Sequence, residues 1–106
     1  MTMRFVCLPL LLFVAVGANA APMARPARLG LCAACHGEDG HARIPGAPNL
    51  AGQQYDYLLN ALHAYKSGAR DVAVMRTATG PLTETDMRQL AGWFAALPAC
   101  PPAGTP

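Results

Sequence analysis

Apolar residues recur at helical spacing in two separate segments of the chain. In residues 53–67 they lie three or four positions apart, and Gly68 follows as a stop signal. In residues 83–97 the same spacing begins after Thr83, a favourable N-cap, and ends before Pro98. Each pattern predicts an amphipathic helix with one face in the core. The apolar positions are Tyr55, Leu58, Leu59, Leu62 and Tyr65 in the first helix, and Met87, Leu90, Ala91, Phe94 and Leu97 in the second.

The rest of the pattern predicts short helices and one long loop. Pro26 can open a helix that continues to residue 36. Residues 37–52 are rich in glycine and proline, which is typical of an extended loop, and so long a loop in a small domain is usually functional. Residues 71–75 suit a short helix, and a polar loop ending at Pro81 follows. No segment has a convincing strand pattern, so the sequence predicts an all-α fold of three to four helices.

A short motif, Cys32-Ala33-Ala34-Cys35-His36, ends the first predicted helix. Cys-x-x-Cys-His is the pattern of covalent c-type haem attachment. Two thiols three positions apart on a helical turn can each add to one of the two haem vinyl groups. The next residue then brings an imidazole beneath the iron as its proximal ligand. The motif therefore predicts one covalent haem c, bound by Cys32 and Cys35, with His36 as an iron ligand.

Two other kinds of site use closely spaced cysteines. A zinc site would need a second pair of ligands at suitable spacing, and the remaining candidates, His41, His63 and Cys100, are scattered. A disulfide oxidoreductase would place its motif where a strand turns into a helix, and no strand pattern precedes Cys32. Haem attachment is therefore favoured over both alternatives.

The N-terminal segment, residues 1–20, has the organisation of a secretory signal peptide. Arg4 precedes an apolar run, and an A-x-A cleavage site ends at Ala20. A membrane anchor is the alternative, but the run is shorter than the roughly 20 residues that a spanning helix needs, and Pro9 interrupts it. We therefore expect cleavage after Ala20 and a mature chain in the periplasm, a compartment in which haem c can be attached.

Size and charge limit the function further. Loss of residues 1–20 would leave one small domain, 21–98, and a flexible proline-rich tail, 99–106. A core in so short a chain is marginal on its own, and a haem would supply a large apolar plate to pack against. The formal net charge is only +2, which indicates no basic patch for nucleic acid. We expect neither nucleic-acid binding nor stable insertion of the mature chain into a membrane.

Taken in order, a series of short motifs resembles the small single-haem class I cytochromes c, nearest to the bacterial periplasmic type. The resemblance covers nearly all of the chain after residue 20. It implies the small cytochrome c fold, in which the helices wrap around one covalently attached haem. The matching motifs are the Cys-x-x-Cys-His run with Gly37, Asp39-Gly40, Pro48-Asn49-Leu50-Ala51-Gly52-Gln53, Tyr57-Leu58, Tyr65-Lys66-Ser67-Gly68 with Arg70, Met75, and Leu82-Thr83 leading to Asp86.

The resemblance also implies the second iron ligand. The family carries its axial methionine shortly before the last helix, where Met75 stands in a predicted loop region. Met23 lies before the haem motif, and core packing in the last helix explains Met87. His63 is the alternative for bis-histidine ligation, but it flanks the apolar face of a regular helix. We therefore expect His36 and Met75 as the axial ligands.

Pro48 corresponds to a proline of the family whose carbonyl accepts a hydrogen bond from Nδ1 of the proximal histidine. Such contacts fix the ring and raise the basicity of the ligand. Pro45 is a competitor, but the run that begins at Pro48 is the better match. One departure is Arg28, which stands about where the family often has an aromatic residue against the C-terminal helix. We expect a weaker contact there.

An iron with both axial positions filled has no open site for a substrate, and thioether ligation raises its reduction potential. We therefore predict a periplasmic one-electron carrier, not an enzyme. It would dock transiently with redox partner proteins, a dehydrogenase or reductase as donor and a terminal oxidase or other acceptor. Two alternatives stay open: a haem subunit of a periplasmic dehydrogenase or oxidase complex, and a haem enzyme or ligand sensor in which the bond to Met75 is labile.

Overall fold

The computed structural model describes Gly17 and residues 21–100. These residues form four α-helices and contain no strand, which confirms the predicted all-α class. Nearly all of the predicted signal peptide, and residues 101–106 of the predicted tail, lie outside the described residues. In chain order the helices are α1 (Leu29–His36), α2 (Tyr55–Ser67), α3 (Ala73–Thr79) and α4 (Glu84–Ala96).

The boundaries of α2 follow the predicted pattern, whereas those of α1 and α3 differ from it. Gly68 ends α2 in the left-handed conformation with φ 83°, which glycine adopts without strain. Pro26 is followed by a turn, in which the Leu29 N–H donates to the Pro26 carbonyl at 3.1 Å, so α1 begins only at Leu29. The prediction of a loop after Met75 is wrong, because α3 continues to Thr79.

The longer α3 has a physical cause in its threonines. Thr77 Oγ1 donates to the Ala73 carbonyl at 3.1 Å, and Thr79 Oγ1 donates to the Met75 carbonyl at 2.8 Å. Hydroxyl groups that bond back to the preceding turn are satisfied within the helix. A segment that is polar in sequence is therefore helical in the structure, and Met75 lies in the first turn of α3.

A capping box fixes the start of α4. The Asp86 N–H donates to Thr83 Oγ1 at 3.1 Å, and the Thr83 N–H donates to Asp86 Oδ2 at 2.9 Å. The bond from the Thr83 backbone also holds the pKa of the Asp86 carboxyl below its usual value. Because that pKa is lowered by folding, the contribution of Asp86 to stability is present at neutral pH and is lost as the pH falls through the lowered pKa.

Replacement of the capping threonine should destabilise the domain measurably. We expect Thr83→Ala to lower the free energy of unfolding of the haem-loaded protein by about 1 kcal/mol at neutral pH. Chemical denaturation followed by far-UV circular dichroism measures this. The matched control is Thr85→Ala, which removes an exposed threonine from the same helical turn. Equal losses in the two variants would contradict a capping role.

The core lies mainly where α2 packs on α4. Met87 and Phe94 of α4 are each 3% exposed, as core packing predicts. Of the apolar positions predicted for α2, only Leu58 is fully buried. The buried apolar residues in the described part of the chain are Leu29, Leu58, Leu82, Met87, Leu90, Ala91 and Phe94. Leu59 and Leu62 pack against this core but are only partly buried, so protein alone covers the apolar face of α2 incompletely.

At the position of the expected aromatic residue, Arg28 forms an ion pair with α4. Its Nε lies 3.9 Å from Asp86 Oδ2, and its side chain is about half exposed. The neighbouring Leu29 is completely buried and supplies the apolar contact of α1 with the core. An exposed pair of this kind contributes little stability, so Leu29 is the main anchor of the start of α1.

Candidate haem site

A cavity lies between the end of α1, the following loop and helices α2, α3 and α4. The cavity has a volume of about 230 Å³, it is partly open to solvent, and its walls are largely apolar. The apolar face of α2 forms one wall, which explains why few of its residues are buried by protein alone. The lining residues are Cys32, His36, Pro48, Asn49, Leu50, Gln53, Tyr57, Leu58, Ala61, Leu62, Tyr65, Arg70, Met75, Leu90, Ala91 and Phe94.

His36, the last residue of α1, is buried and held in one orientation. Its Nδ1 lies 2.8 Å from the carbonyl oxygen of Pro48. A carbonyl only accepts, so Nδ1 is the donor of this hydrogen bond, and in the neutral imidazole the lone pair is then on Nε2. Within the described residues, Nε2 has no hydrogen-bond partner. A neutral imidazole with one nitrogen fixed by a carbonyl and the other free is the arrangement of a metal ligand.

The loop after His36 is folded so that it brings the Pro48 carbonyl to the imidazole. Gly37 has φ 76°, and a side chain there would collide with the His41 carbonyl. The Arg43 N–H then donates to the Cys35 carbonyl at 2.8 Å. Backbone bonds of this kind determine the path of the loop, so glycine and main-chain contacts position Pro48.

The surroundings of Cys32, the first cysteine of the motif, disfavour its thiolate form. Cys32 lines the cavity, and Cys35 is half-buried. Burial raises the pKa of the Cys32 thiol to about 11, so it is uncharged at neutral pH. Redox-active cysteines have a lowered pKa and often stand at helix N-termini, whereas this motif occupies the C-terminal half of α1. An uncharged sulfur in an apolar wall suits a thioether to haem better than a redox pair.

A zinc site also lacks ligands in this part of the molecule. Residues 21–100 contain no group of three or more cysteine, histidine or acidic side chains that could hold a metal ion. His41 Nε2 lies 3.3 Å from the Ala99 carbonyl, and Cys100 is exposed. The motif therefore has no partner set for tetrahedral zinc.

Met75 of α3 lines the same cavity as His36. The other two methionines of the described region lie elsewhere: Met87 is in the core, and Met23 is 49% exposed at a separate surface groove. His63 is turned away, since its Nε2 lies 2.7 Å from Glu84 Oε2 and its side chain is 43% exposed. Of the ligand candidates considered from the sequence, the structure brings Cys32, His36 and Met75 together.

Two residues of the cavity wall, Tyr65 and Arg70, form a stacked pair that the sequence does not predict. The guanidinium group of Arg70 lies over the Tyr65 ring, 4.5 Å from its centroid, and both side chains line the cavity. This stacking is a cation–π interaction. The spacing places Tyr65 on the predicted apolar face of its helix, but it does not indicate that Arg70 would face the same cavity.

A helical domain that encloses an apolar cavity beside a Cys-x-x-Cys-His motif defines a haem protein of the c type. Residues 27–97 match the family model described as Cytochrome c. The chain therefore belongs to the cytochrome c family, and its cofactor is a covalently attached haem c. The residues that line the cavity fit such a group, with the sulfur of Cys32 and the imidazole of His36 at one wall, the thioether of Met75 on another and apolar side chains between them.

Similar proteins carry related names. The chain is 41% identical over 69 residues to cytochrome c4 of Pseudomonas aeruginosa, which covers 65% of this chain and 34% of that protein. It is 35% identical over 71 residues to cytochrome c-554(548) of Halomonas halodenitrificans, a match that covers 64% of this chain and 86% of that protein. It is 37% identical over 85 residues to the thiosulfate dehydrogenase electron acceptor of Thiomonas intermedia, a match that covers 78% of this chain and 39% of that protein. The match thus spans about a third of cytochrome c4 and most of cytochrome c-554(548).

Proposed function

We propose that this protein is a one-electron carrier in which His36 and Met75 are the two axial ligands of the haem iron. The observation that carries the proposal is the placement of the two side chains in one cavity, on helices α1 and α3. The free Nε2 of His36 supports its role as the proximal ligand. The thioether of Met75 supports its role as the second ligand of an electron carrier, because thioether sulfur favours ferrous iron.

Each residue of the site has a separate task in this proposal. Cys32 and Cys35 hold the haem covalently, and the Pro48 carbonyl orients His36 and increases its basicity. The apolar lining limits the access of water. When bound, the haem supplies a reversible one-electron iron couple. With His36 and Met75 in place, no coordination position is left for a substrate, which supports a carrier rather than an enzyme.

A redox titration combined with carbon monoxide tests this function. The purified haem protein should follow a single one-electron Nernst curve, and its ferrous form should not bind carbon monoxide at equilibrium, because Met75 occupies the position. Binding of carbon monoxide by the reduced wild-type protein would instead support a haem enzyme or ligand sensor.

We further propose that the mature protein is periplasmic and exchanges electrons with other redox proteins. The signal-peptide pattern of residues 1–20 supports export, and no helix in residues 21–100 is long and apolar enough to cross a membrane. The relative named as an electron acceptor of thiosulfate dehydrogenase supports a dehydrogenase as donor. The intact mass of protein from the periplasmic fraction should equal the chain from Ala21 plus one haem. A mass that includes residues 1–20 would overturn the export proposal.

An uncharged surface groove beside Cys32 and Met75 bears on how partners dock. Leu31 and Val74, which directly precede Cys32 and Met75, are 52% and 65% exposed. They lie on a surface groove whose other lining residues are uncharged. Because exposed charges are what salt screens, we expect the rate of electron exchange with a partner to change little with ionic strength. Stopped-flow reduction at low and high salt measures this, and a steep fall with salt would contradict it.

A further inference from the structure

We infer that Lys66 is a positioning residue for the Met75 ligand, because its ammonium group fixes α3 against α2. The inference rests on the proposed ligation by His36 and Met75. Lys66 lies in the last turn of α2, and Met75 lies in the first turn of α3. The two side chains do not need to touch, since the backbone of α3 connects them.

Lys66 binds three backbone carbonyls beyond its own helix. Its Nζ donates to the carbonyl oxygens of Gly80 at 2.6 Å, Leu82 at 2.8 Å and Thr79 at 3.5 Å. An ammonium group has three N–H donors, so this set uses all of them. The acceptors are the last residue of α3 and the segment that leads into α4. One side chain of α2 therefore joins the end of α3 to the start of α4.

The charge of Lys66 matches this location. The last carbonyls of a helix lack partners within the helix and carry partial negative charge, so a cation there is stabilising. The α3 helix has only seven residues, too few to be stable without tertiary contacts. In residues 21–100, no other side-chain hydrogen bond links α2 to α3 or to the segment after it. The position of α3 therefore depends on Lys66 for its polar contacts with α2.

The end that Lys66 holds is coupled to Met75 through Thr79. Thr79 is completely buried, and its Oγ1 donates to the Met75 carbonyl at 2.8 Å. The two residues are four apart and share one face of α3. At the other end of the helix, the ion pair of Asp71 with Arg76 is more than half exposed and contributes little. Loss of the Lys66 contacts should therefore weaken the placement of Met75 in the cavity wall.

Imidazole titration of the ferric haem protein tests the inference. Imidazole competes with Met75 for the iron, so its apparent affinity reports how firmly Met75 is held. We expect Lys66→Met to raise that affinity about tenfold, because hydrogen bonds to a charged group are lost. The matched control is Arg88→Met, which removes one positive charge from an exposed pair with Glu84 on α4. It should change the affinity by less than about twofold.

A double variant separates positioning from general loss of stability. In a Met75→Leu background, Lys66→Met should change imidazole affinity by less than about twofold, because the ligand on which Lys66 acts is absent. An equal increase in both backgrounds, or no increase in the wild-type background, would overturn the inference.

The same titrations distinguish this inference from the proposed function. If Met75→Leu alone leaves imidazole affinity unchanged, the proposed ligation by Met75 is wrong. If Met75→Leu raises the affinity and Lys66→Met does not, only the role of Lys66 is wrong. Should Lys66→Met yield no haem-loaded protein, Lys66→Gln, which keeps two N–H donors without the charge, is titrated with the same expectation.

Discussion

The double variant Cys32→Ser with Cys35→Ser should contain no covalent haem and no stable fold. In residues 21–100 the buried apolar core consists of seven residues, and it borders the apolar cavity between the helices. A domain this small depends on its cofactor, because an empty apolar cavity removes the contacts that would hold α2, α3 and α4 together. The pyridine haemochrome spectrum measures covalent haem, and far-UV circular dichroism measures the fold.

Cys100→Ser is the matched control for this result. Cys100 is exposed and lies outside the cavity wall. The same chemical change there should leave haem content and helix content at wild-type levels. Covalent haem that persists in the double variant, or that disappears in Cys100→Ser, would contradict the attachment proposed for Cys32 and Cys35.

Met75→Leu should abolish the charge-transfer band between thioether sulfur and ferric iron. Leucine has nearly the volume of methionine, so the exchange removes the sulfur with little change in packing. We also expect a fall in reduction potential on the order of 0.1 V, within the range of about 0.8 V that axial ligands set. The ferrous variant should bind carbon monoxide, because the coordination position becomes open. Absorption spectroscopy and potentiometry measure these three effects.

The other methionines supply the controls for the ligand choice. Met87→Leu changes a core residue, and Met23→Leu changes an exposed one. Both variants should retain the charge-transfer band and exclude carbon monoxide. Loss of the band in either of them, with retention in Met75→Leu, would show that the sixth ligand had been assigned to the wrong residue.

Local patterns were sufficient to predict much of the fold. The spacing of apolar residues predicted α2 and α4, and Thr83 predicted the start of α4, because caps and helix periodicity depend on neighbours in the chain. The Cys-x-x-Cys-His motif predicted the cofactor for the same reason: its three groups lie on one helical turn. The choice of Pro48 over Pro45 came from resemblance alone, and the hydrogen bond to His36 now agrees with it.

Features that depend on tertiary contacts could not be predicted in this way. The full length of α3 depends on how Thr77 and Thr79 satisfy their hydroxyl groups, which sequence polarity does not reveal. The partners of Lys66 are carbonyls at least thirteen positions away, and backbone acceptors have no sequence signature. The apolar face of α2 is incompletely buried by protein because it also lines the haem cavity, and the amino-acid sequence does not show the shape of a cofactor.

The burial of Cys32 also bears on when the haem is attached. A thiolate is the reactive form of cysteine, and an exposed thiol has a pKa near its ordinary value of about 8.5. In the closed domain, burial raises the pKa of the Cys32 thiol to about 11 and places it within the cavity wall. We therefore expect haem addition while the chain is still open, with the helices closing afterwards around a cofactor that is already bonded to the polypeptide.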